Sequence, residues 1–157
     1  MKRITVSTTL LILFAAALFV SRTAAAQSAT APCLLSRTAG NYSFSDSGTI
    51  VGIGARAAVG SLSFDATGNV TGKVTASLNG NVSTTSLAGT YSVNPDCSGV
   101  TTFNESDQSG NLILTATVQI VWDDNMREAR FLFTSVTLAN GTPLATVVNG
   151  DARKVVP

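Results

Sequence analysis

Apolar and polar residues alternate with a period of two along most of the chain beyond residue 39. The clearest stretch is Val70-Thr71-Gly72-Lys73-Val74-Thr75-Ala76-Ser77-Leu78. In a strand, successive side chains point to opposite faces. Val70, Val74, Ala76 and Leu78 then share one face, and Thr71, Lys73, Thr75 and Ser77 the other, which is the signature of a half-buried strand. No stretch shows a convincing helical period. The pattern predicts strands over 40–46, 49–55, 57–65, 69–78, 82–93, 99–106, 111–121, 128–138 and 144–153.

Turn residues separate these runs. Asn79-Gly80 is the strongest hairpin cue, because both residues tolerate the positive φ of a type I′ turn. Asp65 to Asn69, Asn94 to Gly99, Gln108 to Asn111, Trp122 to Asn125 and Asn140-Gly141 complete the series. Asp65 and Asp96 lie where an aspartate caps its own turn backbone. Short turns between successive strands predict antiparallel pairing of sequential neighbours. An open meander of this length leaves two bare edges, which closure removes. The expected fold is therefore all-β, an antiparallel up-and-down meander closing into an eight- or nine-stranded barrel. A two-sheet β-sandwich is the alternative. Gly52, Gly54, Gly60, Gly72 and Gly89 fall inside strand patterns, where glycine marks the bends a small barrel needs.

Two strands carry apolar residues on both faces. In 111–121, Ile113 and Val121 oppose Leu112, Leu114, Ala116, Val118 and Ile120. In 128–138, Phe131 and Phe133 oppose Leu132 and Val136. The pattern predicts a covered outer surface, under either a packed helix or tail or a second copy of the chain.

The beginning of the chain follows a different rule. Met1-Lys2-Arg3 is followed by the apolar run Leu10 to Val20 and then by Ala24-Ala25-Ala26. A basic start, an apolar stretch of roughly 7–15 residues and an A-x-A-like site form an export signal. The run is short of the ~20 apolar residues of a membrane span. The expected organisation is a signal peptide over 1–26, an N-terminal leader over 27–38 and a single β-barrel domain over 39–157. No stable membrane span is expected after cleavage, and the location is exported, periplasmic or extracellular. Loss of Lys2, Arg3 and Arg22 leaves seven of the ten basic residues against nine acidic ones, a formal charge of −2. That balance argues against a nucleic-acid partner, which would need clustered cations.

The two cysteines, Cys33 and Cys97, read as a disulfide in an oxidising compartment. The bond would close a loop of about 63 residues and tie the leader to the turn at Asn94-Pro95-Asp96.

Three blocks carry a family resemblance: Gly40-Asn41-Tyr42-Ser43-Phe44, then Val59 to Gly72, then Leu87-Ala88-Gly89-Thr90-Tyr91-Ser92-Val93-Asn94-Pro95-Asp96-Cys97-Ser98-Gly99. They resemble recurring blocks of an uncharacterised family of small secreted bacterial β-barrel proteins. The resemblance implies an architecture similar in outline to lipocalin and allene oxide cyclase barrels. A shared fold does not by itself fix function.

The chain contains no histidine. This removes the commonest general base, the usual nucleophile–histidine arrangements and most zinc and copper sites. No phosphate-cradling or nucleophile-elbow motif is present. No catalytic residue, metal ligand or cofactor is assigned. Asp123-Asp124 with Glu128, and Glu105 with Asp107, are the two carboxylate clusters, and solvated strand ends are the expectation for both.

The aromatic residues Tyr42, Phe44, Phe64, Tyr91, Phe103, Trp122, Phe131 and Phe133 either fill the barrel or line a cavity for one small apolar ligand. Arg56, Lys73 and Arg130 could supply a polar anchor, with surface solvation the expectation for each. Arg130 is retained with the aromatic set as a candidate ligand contact. The leading functional expectation is a non-enzymatic barrel binding a small apolar ligand or a protein partner, including a second copy of itself. A cyclase- or isomerase-like enzyme and an extracellular structural or adhesive module are the alternatives.

Overall fold

The structure is a computed structural model and describes residues 32–155. The expectations for residues 1–26, and for the leader up to residue 31, lie outside these. Eight strands follow a short helix: α1 (Leu35–Thr38), β1 (Gly40–Ile50), β2 (Gly54–Phe64), β3 (Asn69–Leu78), β4 (Asn81–Tyr91), β5 (Ser98–Ser106), β6 (Leu112–Asp123), β7 (Glu128–Leu138) and β8 (Thr146–Lys154). A 3-10 turn, Asp124–Met126, joins β6 to β7. Each strand pairs antiparallel with its sequence neighbour, and β8 returns to β1, closing the barrel. The all-β meander barrel is thus the observed fold.

The sequence pattern places nine strands where the structure has eight. The runs at 40–46 and 49–55 are not separate strands. β1 passes straight through Ser47 and Gly48, and the chain turns only at Val51-Gly52-Ile53. Polar Ser45, Ser47 and Thr49 alternate with inward Phe44, Asp46 and Ile50, so the strand persists through residues that resemble a turn.

Inward glycines give the small barrel its packing. Gly60 lies opposite Phe44 in the register, and a Cβ there would stand 2.5 Å from the Phe44 ring. Gly150 stands in the same relation to Phe131, at 2.5 Å. Each ring covers the backbone left bare by the glycine across from it, a device that permits strong curvature.

Both exceptions to the two-face rule involve β-bulges. Between β5 and β6 the register moves from Glu105↔Leu114 to Ser106↔Leu112, so Ile113 is the extra residue. Between β6 and β7 it moves from Thr117↔Ser135 to Val118↔Phe133, so Thr134 is extra. A bulge resets which side chains face inward. Val136 therefore shares the interior with Phe131 and Phe133 rather than opposing them, and is buried. Val121 and Leu132 do face outward, and are 50% and 48% exposed. The expectation of a helix or tail over this wall is not met among the described residues, because α1 packs elsewhere.

α1 closes one end of the barrel. Cys33 and Cys97 form the expected disulfide, with Cα atoms 5.1 Å apart. Leu35 of α1 packs against the barrel core, and the Thr38 hydroxyl meets the Met126 sulfur at 3.9 Å. The Tyr42 hydroxyl can donate to the carbonyls of Thr38 (2.9 Å) and Met126 (2.7 Å), and the Tyr91 hydroxyl donates to the Asp65 carbonyl. Phe64 packs edge-on against both tyrosine rings. Lys154 donates to the Arg37 carbonyl at 3.0 Å, and burial lowers its pKa. No helix among the described residues is long and apolar enough to cross a membrane.

Candidate functional site

Strand alternation turns one face of every strand into the barrel wall, so the interior is set by inward phase. In β1 that phase carries Tyr42, Phe44, Asp46 and Ile50. In β2 it carries Arg56, Ala58, Leu62 and Phe64, and in β5 Thr101, Phe103 and Glu105. Two carboxyl groups, of Asp46 and Glu105, and the Arg56 guanidinium are thereby committed to the interior.

Asp46 and Arg56 form a two-pronged ion pair. Nε of Arg56 donates to Oδ1 at 2.9 Å and Nη2 to Oδ2 at 3.1 Å. Their side chains are 1% and 12% exposed. This fork-to-fork geometry is the strong form of an arginine–carboxylate contact. Glu105, 6% exposed, accepts a bond at 2.5 Å from the buried Thr85 hydroxyl. The Arg56 guanidinium also lies 5.9 Å from the centre of the Phe133 ring, within cation–π range.

These groups border a slot running between the strands. Its walls are Phe44, Leu62, Phe64, Val70, Val74 and Leu87 on one side, and Phe103, Val118, Ile120, Phe131 and Phe133 on the other. Asp46, Arg56, Thr101 and Glu105 supply the polar lining. The cavity volume is about 40 Å³. A second void of about 20 Å³ lies beyond Arg56, Glu105 and Phe133, between Ile50, Leu114, Val136 and Val148. Such volumes admit one or a few waters, against the ~150 Å³ of an engineered cavity that binds benzene. The barrel is thus largely filled by its own side chains.

One polar atom in this lining has no partner. Thr101 is 5% exposed, and its Oγ1 makes no hydrogen bond among the described residues. A buried hydroxyl without a partner costs about 1–3 kcal/mol. Trp122 Nε1 is similarly unpaired, but Trp122 belongs to the closed end.

The structure divides the aromatic set. Phe44, Phe64, Phe103, Phe131 and Phe133 line the slot. The Tyr42 and Tyr91 hydroxyls reach the backbone carbonyls of α1 instead, and Trp122 packs against Phe64 and Tyr91. Arg130 is outside the barrel, 76% exposed at its side chain and 3.3 Å from Asp123. Lys73 is also exposed. A cyclase-like enzyme drawing on Tyr42, Glu105 and Arg130 would need them together, but Tyr42 sits at the closed end, Glu105 inside the barrel beside Thr85 and Arg130 on the outer wall.

Two expectations require correction. Arg56 is not a solvated surface cation, and Glu105 is not a solvated strand-end acid. Asp46 is a further buried interior group, outside the two carboxylate clusters of the sequence. Phase alone could have found all three, because each occupies the same parity as the phenylalanines of its own strand. The expectation for the turn aspartates stands. Asp65 accepts from the backbone N–H groups of Asn69 and Thr67, both at 2.8 Å, and these bonds hold its carboxyl well below the usual range, the Asn69 amide contributing most. Asp96 and Asp107 are lowered in the same way, chiefly by the side chains of Ser98 and Asn111. Among the described residues, no group of three or more ligating side chains could hold a metal ion.

Comparison with solved structures supports the fold. A structure described as EF1p2_mFAP2b bound to DFHBI superposes with a TM-score of 0.55 at 10% identity, covering 77% of this chain and 99% of that one. A redesigned β-barrel, mFAP1, also bound to DFHBI, gives 0.52 at 11% identity, covering 76% and 97%. At such identities the likeness establishes a shared barrel fold. No protein-family profile and no curated protein matches the chain.

Proposed function

We propose that the protein is an exported, non-enzymatic barrel that holds a small, largely apolar ligand in its interior slot. The observation that carries this reading is the unpartnered Thr101 hydroxyl, buried in a cavity whose other walls are mostly aromatic and aliphatic. Apolar walls with a few convergent polar groups are the usual composition of a ligand site. Two structures of like fold are described as bound to DFHBI, which supports a ligand-binding reading of this architecture. The disulfide, the export-signal pattern and the resemblance to small secreted bacterial barrels support an oxidising location outside the cytoplasm.

The slot is narrow as it stands, so a ligand of more than a few atoms must displace side chains. Phe131 and Phe133 are the rings placed to yield. Both are only half-buried, and the β7–β8 ladder ends beside them, at Leu132↔Asn149. Native mass spectrometry of protein isolated from its own host tests the proposal, combined with titration of lipophilic compounds. A bound or titratable compound that shifts the NMR signals of Thr101 and Phe133 is the expected result. Absence of any such compound overturns the reading.

The near-filled interior favours a second reading, an extracellular structural or adhesive module that needs no ligand. Stable self-assembly of ligand-free protein, measured by light scattering, would support it.

A further inference from the structure

The formal charges inside the barrel do not balance. Asp46 and Arg56 form one matched pair. Glu105 adds a second carboxyl group to the same cavity lining, and no second cation accompanies it among the described residues. Its bonding is also incomplete. The Thr85 hydroxyl occupies Oε1, whereas a carboxylate can accept about four hydrogen bonds. Taking a charge out of water without an opposite charge is unfavourable by several kcal/mol. A cationic group in the slot would match this second carboxyl.

The walls agree with that sign. Phe103 and Phe133 meet edge to face with centroids 6.2 Å apart, and Phe131 and Phe133 are also 6.2 Å apart. Aromatic faces attract cations, and Arg56 already uses Phe133 in this way. A second, independent feature marks the slot as a binding site. Thr101, inward on β5 like Glu105 but four residues nearer the closed end, presents its unpartnered hydroxyl to the same cavity. At the rise of a β-strand, the two positions lie about 13 Å apart.

We propose that the slot selects a small primary amine carried as its ammonium ion. The ammonium donates to Glu105, the apolar body lies along the phenylalanine rings, and the Thr101 hydroxyl bonds a polar group or water at the far end. This rests on the ligand-binding reading above and specifies the class of ligand. A carboxylate ligand would set three acids against one guanidinium. An alcohol would bring no positive charge to the second carboxyl.

Butylamine, butanol and butyrate, which share a chain length and differ in head group, test the inference on the intact disulfide-bonded protein. The readout is the shift of interior methyl and aromatic NMR signals. Butylamine is expected to bind about tenfold more tightly than butanol, as a charge-assisted bond is roughly twice as strong as a neutral one. Butyrate is expected not to bind. The ranking in the natural protein requires no variant, so it stands even if a substitution fails to fold. Glu105→Gln, which retains an oxygen for Thr85, is expected to remove the preference for the amine. Butanol binding as tightly as butylamine, or a preference that survives Glu105→Gln in folded protein, overturns the amine inference and leaves the ligand-binding reading in place. Failure of all three probes to shift interior signals overturns both.

Discussion

Asp46 and Arg56 meet inside the barrel through two hydrogen bonds across the β1–β2 hairpin, at 2.9 and 3.1 Å. Asp46 is directly opposite Ala58 in the register, and Arg56 is opposite Gly48, so the two reach each other diagonally along one inward face. Neither has ready access to water. Removing one partner would strand the other as a buried charge, at about 3–5 kcal/mol. Arg56→Met or Asp46→Leu alone is expected to destabilise by that amount in urea unfolding. The double variant, which removes both charges, is expected to recover most of the loss. A double variant no better than the sum of the single ones would show that the pair is not coupled.

Gly60 and Gly80 are expected to respond to alanine for different reasons. A Cβ at Gly60 would lie 2.2 Å from the Lys73 carbonyl oxygen and 2.5 Å from the Phe44 ring. Gly60→Ala must move a neighbouring strand or ring, and about 2 kcal/mol of destabilisation is expected. Gly80 has open space around it, but its φ is +85°. Gly80→Ala meets only the strain of a left-handed conformation, about 1 kcal/mol. Equal losses in the two variants would contradict the packing account of Gly60.

The disulfide between Cys33 and Cys97, 64 residues apart, ties α1 to the turn before β5. Closing a loop of that length restricts the unfolded chain by about 4 kcal/mol in the chain-entropy picture. Reduction, or Cys97→Ser, is expected to lower the melting temperature clearly. Amide exchange should increase first at Leu35 to Thr38, because the anchor of that segment is lost. Unchanged exchange there would show that packing alone holds the closed end.

Tyr42 and Tyr91 are the chain's two tyrosines. Burial, reinforced by the neighbouring Tyr91, pushes the Tyr42 phenol up to about 12. Burial, reinforced by Asp65, does the same for Tyr91, also to about 12. The folded state therefore holds these protons more tightly than the unfolded state, whose phenols titrate near 10. Their contribution to stability is fully present below pH 10 and is lost as pH rises through 12. Ultraviolet titration should show little tyrosinate at pH 10.5 in folded protein and a release coincident with unfolding. Ordinary titration near pH 10 in folded protein would refute the sealed closed end.

The sequence by itself determined the strands, the turns and the covalent tie. Period-two alternation from Val70 to Leu78 survives unchanged as β3, because burial of one face imposes that period locally. Asn79-Gly80 marked its hairpin, because only certain residues accept its backbone angles. With two cysteines in the whole chain, an internal disulfide has one possible pairing. The tertiary structure decided the rest. Whether Gly48 interrupts β1 depends on β8 pairing with it, a contact about 100 residues away in sequence. The bulges at Ile113 and Thr134 arise from register between strands, so the inward phase of Val136 could not be read from β7 alone. The same limit hid the polar layer. Asp46, Arg56 and Glu105 each carry the inward phase of their own strand, but that phase does not say which of them meet. They become a candidate site only when closure of the barrel places their shared inward phase around one small cavity.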